Sequence, residues 1–422
     1  MILSWIHDIP IPPGTPTRGE TEKLVSNYPA DKLVRADVGM MQEMIPDVAA
    51  EALIQTSKEQ SKNVPGYKDS RGIELLRKTI AEYYDLKYGV MIDPNWIVIG
   101  LGASECFMAT SLALFDKGNL ILTSAPFYPN HTASLYAKGA DWLAISTTPD
   151  TNFHPNYQEM EKSAAKSKSI RALYQSNPNN PSGAVLTLSE IEQTFWLLDK
   201  YGLIGLFDDV YSVHKFTDDS RPDSFLHGFS LLGKDKLNRA LKSSIIFDSM
   251  SKKFGLADWR VGWAIVANNE VRKRIMPYIS YRGSTPGTEQ LAAEKVIRKL
   301  SENNFALEKQ INKLYRKKSR MVYDGLKRMD GLGVKVSEKH PEGSIYIMAE
   351  LPMKSFDLLK YSLSRPESGK QVTTFVPMTT PDGSFYSNPK DGENLFRFCF
   401  GLPKEKINLA LDCLKNQIKY FS

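Results

Sequence analysis

Residues 244–266 read SIIFDSMSKKFGLADWRVGWAIV, two short apolar runs on either side of a polar segment. The runs Ser244–Phe247 and Trp263–Val266 are rich in branched and aromatic residues, as buried strands are. The segment between them contains two adjacent lysines, an arginine and several hydroxyl groups. In open α/β sheets, ligands bind at the carboxyl ends of strands, so this segment is the first place to look for chemistry.

Similar apolar runs occur earlier in the chain and alternate with segments of helical period. They are Trp96–Ile99, Asn119–Thr123, Arg171–Tyr174 and Leu203–Phe207. This alternation predicts an α/β fold with a mainly parallel sheet covered by helices. Small or polar residues begin turns after three of the runs, at 102–104, 176–178 and 208–209.

A second, smaller domain is predicted from the C-terminal part of the chain. A lysine-rich helical pattern runs from Glu289 to Met329, and short strands follow around 345–348 and 395–398. A chain of 422 residues is long enough for two lobes. We therefore predict an N-terminal arm that joins the small domain (1–55), a large domain (56–300) and a small α+β domain (301–422).

Composition argues for a cytoplasmic protein without a nucleic-acid or membrane partner. The 54 basic and 48 acidic side chains leave a net charge of +6 that is not gathered into a basic block. This mild excess is compatible with an anionic cofactor or substrate, although an excess of this size more often reflects an ordinary solvated surface. No apolar stretch approaches a membrane span, and the N-terminus does not resemble a signal peptide. The three cysteines lack paired metal-ligand spacing, so we expect no metal site.

The segment 249–263 resembles the lysine motif of class I/II aminotransferases, which are pyridoxal-phosphate enzymes of fold type I with a seven-stranded large-domain sheet. The shared pattern is Ser-x-Ser-Lys followed by Phe-Gly-Leu and Arg-x-Gly. The resemblance implies that Lys252 forms a Schiff base with the cofactor, and that Ser249 and Arg260 bind its phosphate. Lys253 is the rival lysine. Asp258 stands where the family usually has glycine, and its carboxylate would either weaken or orient the phosphate contact of Arg260.

Two earlier segments fall into the order of the same family. Residues 102–105, Gly-Ala-Ser-Glu, lie between a predicted strand and an apolar helix, where backbone N–H groups point at an anion. The resemblance makes Ala103 and Ser104 phosphate contacts, although a plain helix cap is the alternative. It also implies that Tyr128 stacks on the pyridine ring, with simple packing as the alternative.

The segment SNPNNPSG, residues 176–183, looks like the family's Asn-Pro-x-Asn-Pro-x-Gly loop. The resemblance implies that Asn180 contacts the substrate and donates to the phenolic oxygen of the cofactor, beside Tyr211. Asp208 ends an apolar strand and, by resemblance, keeps the pyridine nitrogen protonated, which makes the ring an electron sink. Asp209 is the alternative carboxylate.

Three further positions complete the resemblance. Arg397 lies within an apolar strand, and its planar guanidinium suits the α-carboxylate of a substrate. Gly39 matches a glycine that lies against the substrate, although Met40–Gln42 does not follow the usual proline-containing continuation. Tyr67 resembles the tyrosine that reaches the phosphate of the neighbouring subunit, which implies a homodimer.

The sequence therefore predicts a pyridoxal-phosphate-dependent aminotransferase that moves an amino group between an amino acid and a 2-oxo acid. Lys252, Asp208 and Tyr211 are the predicted catalytic residues. A lyase or cyclising synthase on the same fold is the closest alternative. A nicotinamide dehydrogenase is disfavoured, because no Gly-x-Gly-x-x-Gly follows an early strand. Arg282 either recognises a distal carboxylate of the substrate or is an exposed surface residue.

Overall fold

The computed structural model describes residues 16–43, 46–60, 66–364, 366–367, 370–371, 373–379, 386 and 389–421. The predicted N-terminal arm begins outside this part of the chain, since residues 1–15 are not among those described. The largest sheet has seven strands. They are β2 (Ile97–Leu101), β3 (Leu120–Ala125), β4 (Asp141–Ser146), β5 (Ile170–Ser176), β6 (Ile204–Asp208), β7 (Ser244–Ser249) and β8 (Val261–Ile265).

The seven-stranded sheet has the order β2-β8-β7-β6-β5-β3-β4. The neighbours from β7 to β4 run parallel, whereas β8 is antiparallel to both β2 and β7. The prediction of a mainly parallel, seven-stranded α/β sheet is confirmed. Each of the six apolar runs that predicted it overlaps one of its strands, but β4 was not predicted.

Alternating side chains divide the core into two layers, one on each face of this sheet. In β7, Ile246 packs into one apolar cluster, whereas Ile245 and Phe247 pack into the other. Every residue of β7 is buried. A strand that is buried on both faces appears in the sequence as a continuous apolar run. The alternation of helices and strands could therefore be predicted from the sequence.

Fifteen α-helices lie within the described residues. Their bounds are α1 (Pro16–Val25), α2 (Pro46–Gln60), α3 (Glu74–Tyr88), α4 (Ala103–Leu114), α5 (Thr132–Tyr136), α6 (Tyr157–Lys166), α7 (Leu188–Tyr201), α8 (Phe225–Leu231), α9 (Lys234–Ser243), α10 (Met250–Lys253), α11 (Asn269–Ser280), α12 (Gly287–Ser301), α13 (Ala306–Lys327), α14 (Ser355–Ser364) and α15 (Lys404–Phe421). Within the described ranges, none of these helices combines the length and apolar character needed to cross a membrane.

A second sheet combines an N-terminal strand with C-terminal strands. Its members are β1 (Leu33–Ala36), β9 (Tyr346–Glu350), β12 (Thr374–Thr379) and β13 (Leu395–Cys399), in the order β1-β12-β13-β9. A separate two-stranded ribbon is formed by β10 (Pro366–Glu367) and β11 (Lys370–Gln371). Helices α13, α14 and α15 pack on the four-stranded sheet. The exact domain boundaries of the sequence analysis stay a prediction.

The helical pattern predicted from Glu289 to Met329 is formed by two helices, α12 and α13, which are separated by residues 302–305. Asn304 and Phe305 have positive φ angles of 54° and 56°, which end the right-handed helical path. Neither glycine nor proline is present at this break, and the adjacent Asn303 and Asn304 are the local stop signal that the sequence offers.

A cluster of charged side chains connects the loop before α6 to α7 and to the segment that leads into β9. The ring nitrogens of His154 lie 2.8 Å from a Glu190 carboxylate oxygen and 3.0 Å from one of Glu342. Glu342 also accepts from the backbone N–H of Val185 at 3.0 Å and pairs with Arg221 at 2.7 Å. Although burial opposes it, hydrogen bonding to Glu190 and Glu342 raises the pKa of His154 to about 9.

This cluster is expected to make folding stability depend on pH above neutrality. Because the folded pKa of His154 lies above its ordinary value of 6.5, its contribution is fully present below about pH 6.5 and is lost as the pH rises through about 9. Replacing His154 with Gln should therefore cost about 1–2 kcal/mol at pH 6 and much less at pH 10. Urea unfolding at both pH values measures this, and equal losses would contradict it.

Candidate active site

Polar side chains from three neighbouring parallel strands meet at one edge of the large sheet. Ser176, Asp208 and Ser249 are the last residues of β5, β6 and β7. Ser176 is paired in register with Asp208, so the two strands end side by side. The three turns that the sequence analysis singled out as ends of strands β2, β5 and β6 thus lie at the same edge as the lysine segment.

Asp208 is a buried carboxylate, with 7% of its surface exposed. One of its oxygens accepts from the backbone N–H of Val210 at 3.2 Å, and the other lies 3.5 Å from the hydroxyl of Tyr174. No salt bridge to Asp208 is present among the residues that the structure describes. Burial raises the pKa of Asp208 to about 7. A cationic partner would stabilise the charged form of this carboxylate.

Asp209, the alternative carboxylate, has a different task. It accepts from the backbone N–H groups of Phe225 at 2.8 Å and Leu226 at 3.3 Å. These donors are the first residues of α8, so Asp209 satisfies amides that an isolated helix leaves without partners. The geometry therefore separates the two adjacent aspartates into one that faces the site and one that supports a helix.

The two adjacent lysines also point in different directions. The Lys252 amine donates to the backbone carbonyl of Gly39, whereas the Lys253 amine forms an ion pair with Asp248. Burial lowers the pKa of Lys252 to about 8, and the positive charges of Arg397 and Arg260 act in the same direction. The side chain of Lys252 is therefore in the neighbourhood of the predicted site residues, and its amine is easier to deprotonate than that of an exposed lysine.

Gly39 lies in tight contact with Tyr346. A Cβ atom at position 39 would lie 1.8 Å from the Tyr346 hydroxyl oxygen, so a side chain cannot be accommodated without rearrangement. The following segment, which departs from the family pattern, is held by a hydrogen bond from the Gln42 N–H to the Gly401 carbonyl at 2.8 Å. This close approach gives a physical reason for glycine at position 39.

Arg397 is buried inside the second sheet and connects it to the large domain. It donates to the side-chain oxygen of Asn180 at 2.9 Å and to the Asp37 carbonyl at 2.7 Å. Its guanidinium lies over the Tyr346 ring, 4.1 Å from the centroid. Only 3% of Arg397 is exposed, so its charge faces the interior between the two sheets.

Asn180 and Tyr211 are adjacent, as the resemblance implied. The Asn180 amide donates to the Tyr211 hydroxyl at 3.3 Å, and that hydroxyl lies 2.9 Å from the Tyr346 hydroxyl. Burial raises the pKa of Tyr211 well above its usual range, so its hydroxyl stays protonated at neutral pH. Arg397, Asn180, Tyr211 and Tyr346 thus form a continuous buried chain of polar contacts.

Glycines bring the backbone of α4 close to the lysine segment. A Cβ atom on Gly262 would lie 2.3 Å from the Ala103 nitrogen, and one on Gly102 would lie 2.6 Å from the Arg260 guanidinium. Ser249 is paired in register with Gly262. Gly102 caps α4 without a side-chain hydrogen bond. The first amides of α4, at Ala103 and Ser104, therefore lie beside Arg260 and the end of β7.

Arg260 has a φ angle of 53°, which is uncommon for a residue other than glycine. Its guanidinium donates to the carbonyls of Leu101 at 2.8 Å and Ala257 at 2.9 Å. Asp258 is exposed and forms no salt bridge with Arg260, both residues being described. In this structure the unusual Asp258 carboxylate does not compete for the guanidinium.

Arg282 contacts residues at the end of β2 and the start of α4. The expectation that its side chain is exposed is wrong. Its side chain is 13% exposed and forms an ion pair with Glu105. It also donates to the carbonyl of Ile99 at 2.8 Å, while Glu105 accepts from the Leu101 N–H at 2.6 Å. Arg282 is thus engaged with backbone and carboxylate partners around the end of β2.

The two remaining predicted tyrosines differ in burial. Tyr128 is half-buried and packs edge-to-face on His131, with ring centroids 5.2 Å apart. Tyr67 is 94% exposed and is not brought to the other site residues within this chain. A role for Tyr67 in the active site therefore requires a second subunit.

Comparisons with known proteins identify the family. A family model described as aminotransferase class I and II matches residues 34–414. The chain belongs to the class I and II aminotransferases.

This aminotransferase is distantly similar to several named members of the family. It is 26% identical to an LL-diaminopimelate aminotransferase of Halothermothrix orenii, over 94% of each chain. It is 23% identical to an aspartate aminotransferase of Pyrococcus horikoshii, over 84% of this chain and 83% of the relative. The crystal structure of an aspartate aminotransferase from Thermotoga maritima has the same fold, with a TM-score of 0.78 and 21% identity over 99% of this chain and 100% of the other.

The family uses pyridoxal phosphate, and the enzyme is a pyridoxal-phosphate-dependent aminotransferase. Because the similar proteins are named for amino-group transfer, the lyase or synthase alternative is not favoured. The residues of the site fit this cofactor. Asp208 is a buried carboxylate suited to a protonated ring nitrogen, and the amides of Ala103 and Ser104 lie beside the Arg260 cation, which suits a phosphate.

Three site residues of this aminotransferase were not predicted from the sequence. The first is Tyr346, which contacts Gly39, Tyr211 and Arg397. The second is Tyr174, which contacts Asp208. The third is His214, which donates from Nε2 to the Lys252 carbonyl at 2.7 Å. Burial lowers the pKa of His214 to about 4, so the ring is neutral at physiological pH. Tyr174 and Tyr346 lie inside strands, where an aromatic residue reads as ordinary core.

Proposed function

We propose that Lys252 is the lysine that binds pyridoxal phosphate and carries the proton during amino-group transfer. The observation that carries this proposal is that the Lys252 segment and the buried Asp208 carboxylate lie at the ends of the adjacent strands β7 and β6, while their neighbours Lys253 and Asp209 are engaged elsewhere. When bound, the cofactor withdraws electrons from the substrate carbon that loses its proton. An amine whose pKa is about 8 has a sizeable neutral fraction near neutral pH, and a neutral amine can accept that proton and return it.

Substrate orientation is assigned to the buried polar chain around Arg397. A guanidinium binds a carboxylate with two parallel hydrogen bonds, so Arg397 would hold the α-carboxylate of the amino acid. Asn180, which contacts Arg397, would contact the substrate as well, and the backbone at Gly39 would lie against it. Tyr211 stays protonated and would donate, with Asn180, to the phenolic oxygen of the cofactor.

The phosphate of the cofactor is assigned to the cluster at the start of α4. Ala103 and Ser104 would donate backbone amides from a helix N-terminus, Ser249 a hydroxyl, and Arg260 its guanidinium. Asp208 would hold the ring nitrogen in its protonated form. Tyr128 would stack on the ring.

The experiment that tests the lysine assignment is covalent labelling of the native enzyme. The purified protein, loaded with pyridoxal phosphate, is reduced with borohydride and digested, and the labelled peptide is sequenced by mass spectrometry. We expect the label on Lys252, because its amine reaches the site, whereas the Lys253 amine is enclosed with Asp248. A label on Lys253 would refute the assignment.

We further propose that the active unit is a homodimer in the cytoplasm. Two large aromatic side chains are almost fully exposed, Tyr67 at 94% and Tyr281 at 95%, and Gly283 brings their segments together. Such residues are candidates for an interface through which Tyr67 reaches the partner's phosphate site. The three cysteines are buried free thiols, which supports a reducing compartment.

A further inference from the structure

Lys253 is an unusual feature of the layer beneath the active site. Only 1% of its side chain is exposed, and its amine pairs with Asp248, which is fully buried. Asp248 also accepts from the Tyr84 hydroxyl at 2.7 Å, and that hydroxyl accepts from the Trp263 ring N–H at 3.0 Å. The Lys253 amine lies 5.1 Å and 5.6 Å from the ring centroids of Tyr83 and Tyr84.

This ion pair spans the turn that carries two site residues. Asp248 lies near the end of β7 and Lys253 is the last residue of α10, so Ser249 and Lys252 lie between the two partners. The second oxygen of Asp248 accepts from the backbone N–H of Ser249 at 2.7 Å. On the other side of the turn, the Lys252 carbonyl accepts from His214. The path of the backbone through Ser249 and Lys252 is thus constrained at both ends.

A buried ion pair is a poor source of net stability. Removing two charges from water costs several kcal/mol, and apolar side chains of similar volume often stabilise a core equally well or better. The pair here has fixed partners on every side and connects a strand end to a short helix of four residues, which has little stability of its own. Its geometry suits a role in fixing the position of the turn.

We propose that Lys253 is a positioning residue, which holds the turn between β7 and α10 through Asp248 and so presents Ser249 and Lys252 to pyridoxal phosphate. The proposal rests on the proposed function of Lys252. Lys253 itself does not touch the cofactor. Loss of Lys253 displaces Ser249 and Lys252, which do touch it. The affinity for the cofactor and the protonation of the Lys252 amine therefore change together.

The test is the double variant Lys253→Met/Asp248→Asn, which removes the ion pair without leaving an uncompensated buried charge. The side-chain amide introduced by Asp248→Asn retains an oxygen that can accept from the Ser249 N–H. We expect a folded protein whose dissociation constant for pyridoxal phosphate is raised roughly 10- to 100-fold, the effect of losing about one hydrogen bond to a charged group. The pH at which the visible absorption band of the bound cofactor changes should also shift. Equilibrium dialysis and absorption spectra give the two readouts.

Asp248→Asn alone breaks the same pair from the other side and should weaken cofactor binding in the same direction. Lys87→Met is the control for loss of an ion pair in the same layer. Lys87 pairs with an internal carboxylate, Glu308 at 2.7 Å, and donates to the Tyr83 hydroxyl at 3.1 Å, but among the described residues none of its hydrogen bonds or ion pairs reaches residues 248–253. Lys87→Met should lower stability and leave the cofactor constant and spectrum unchanged. Wild-type cofactor binding and an unshifted spectrum in the double variant or in Asp248→Asn would overturn the proposal.

Borohydride labelling of the same variants separates this proposal from the lysine assignment. A label on Lys252 with wild-type affinity in the double variant rejects only the positioning role. A label on Lys253 in the unsubstituted enzyme rejects the lysine assignment, and the positioning role falls with it.

Discussion

Replacing Lys252 with alanine is expected to lower the rate of amino-group transfer by about four orders of magnitude, the upper range for loss of a general acid–base group. The variant should fold, because among the described residues the Lys252 amine has a single hydrogen bond, which it donates to the Gly39 carbonyl. It should also lose the visible absorption of covalently held cofactor. Single-turnover measurements with an amino acid, at saturating pyridoxal phosphate, give the rate of the proton-transfer step.

Lys252→Arg provides the informative comparison. Arginine keeps the positive charge but is not deprotonated in proteins, so it cannot accept the proton from the substrate carbon. We therefore expect a loss as large as that of Lys252→Ala. Substantial activity in Lys252→Arg would mean that charge, rather than proton transfer, is what position 252 supplies.

Replacing Asp208 with asparagine is expected to lower the turnover number about 10³-fold, the effect of removing one preorganised electrostatic group from a catalytic site. Asparagine fits the same space but carries no negative charge to keep a ring nitrogen protonated. Cofactor binding should weaken as well. Steady-state kinetics at saturating cofactor separates these two effects.

The same substitution should stabilise the cofactor-free enzyme. The folded pKa of Asp208 is about 7 against an ordinary value of 3.8, so the cost of burying its charge is absent at low pH, grows between these values and is fully present above pH 7. Asp208→Asn removes this cost and should raise the free energy of unfolding at pH 8 by about 2–4 kcal/mol. Urea unfolding of the cofactor-free proteins at pH 8 measures the difference.

Asp209→Asn is the matched control for the loss of turnover. Asp209 accepts from two amides at the start of α8 and is engaged away from the site, so its replacement should leave turnover within a fewfold range. If Asp209→Asn abolished transfer while Asp208→Asn did not, the assignment of the two aspartates would have to be reversed.

Most of the fold could be predicted because its strands are buried on both faces. Continuous apolar runs identified β2, β3, β5, β6, β7 and β8, each of which is largely buried. The edge strand β4 was not identified, because only one of its six residues is buried and its burial pattern carries no regular apolar signal. The break between α12 and α13 also escaped prediction, since the left-handed backbone there is formed by Asn304 and Phe305.

By itself, the sequence determined the family and the order of the site segments, because turns with unusual proline, glycine and charged residues carry a local signal that neighbouring residues do not obscure. For the two adjacent pairs, the resemblance selected Lys252 and Asp208, but only the tertiary structure shows the contacts that separate each of them from its neighbour. Lys252 and Lys253, like Asp208 and Asp209, are chemically identical neighbours, and the contacts that separate them include partners far away in the chain, such as Gly39 for Lys252. From the sequence alone, Tyr346 is expected to be an ordinary core residue and Arg282 a surface residue. Their roles become apparent only from their contacts with distant segments of the chain. A side chain's function here is set by what the fold places beside it, and that information is not local.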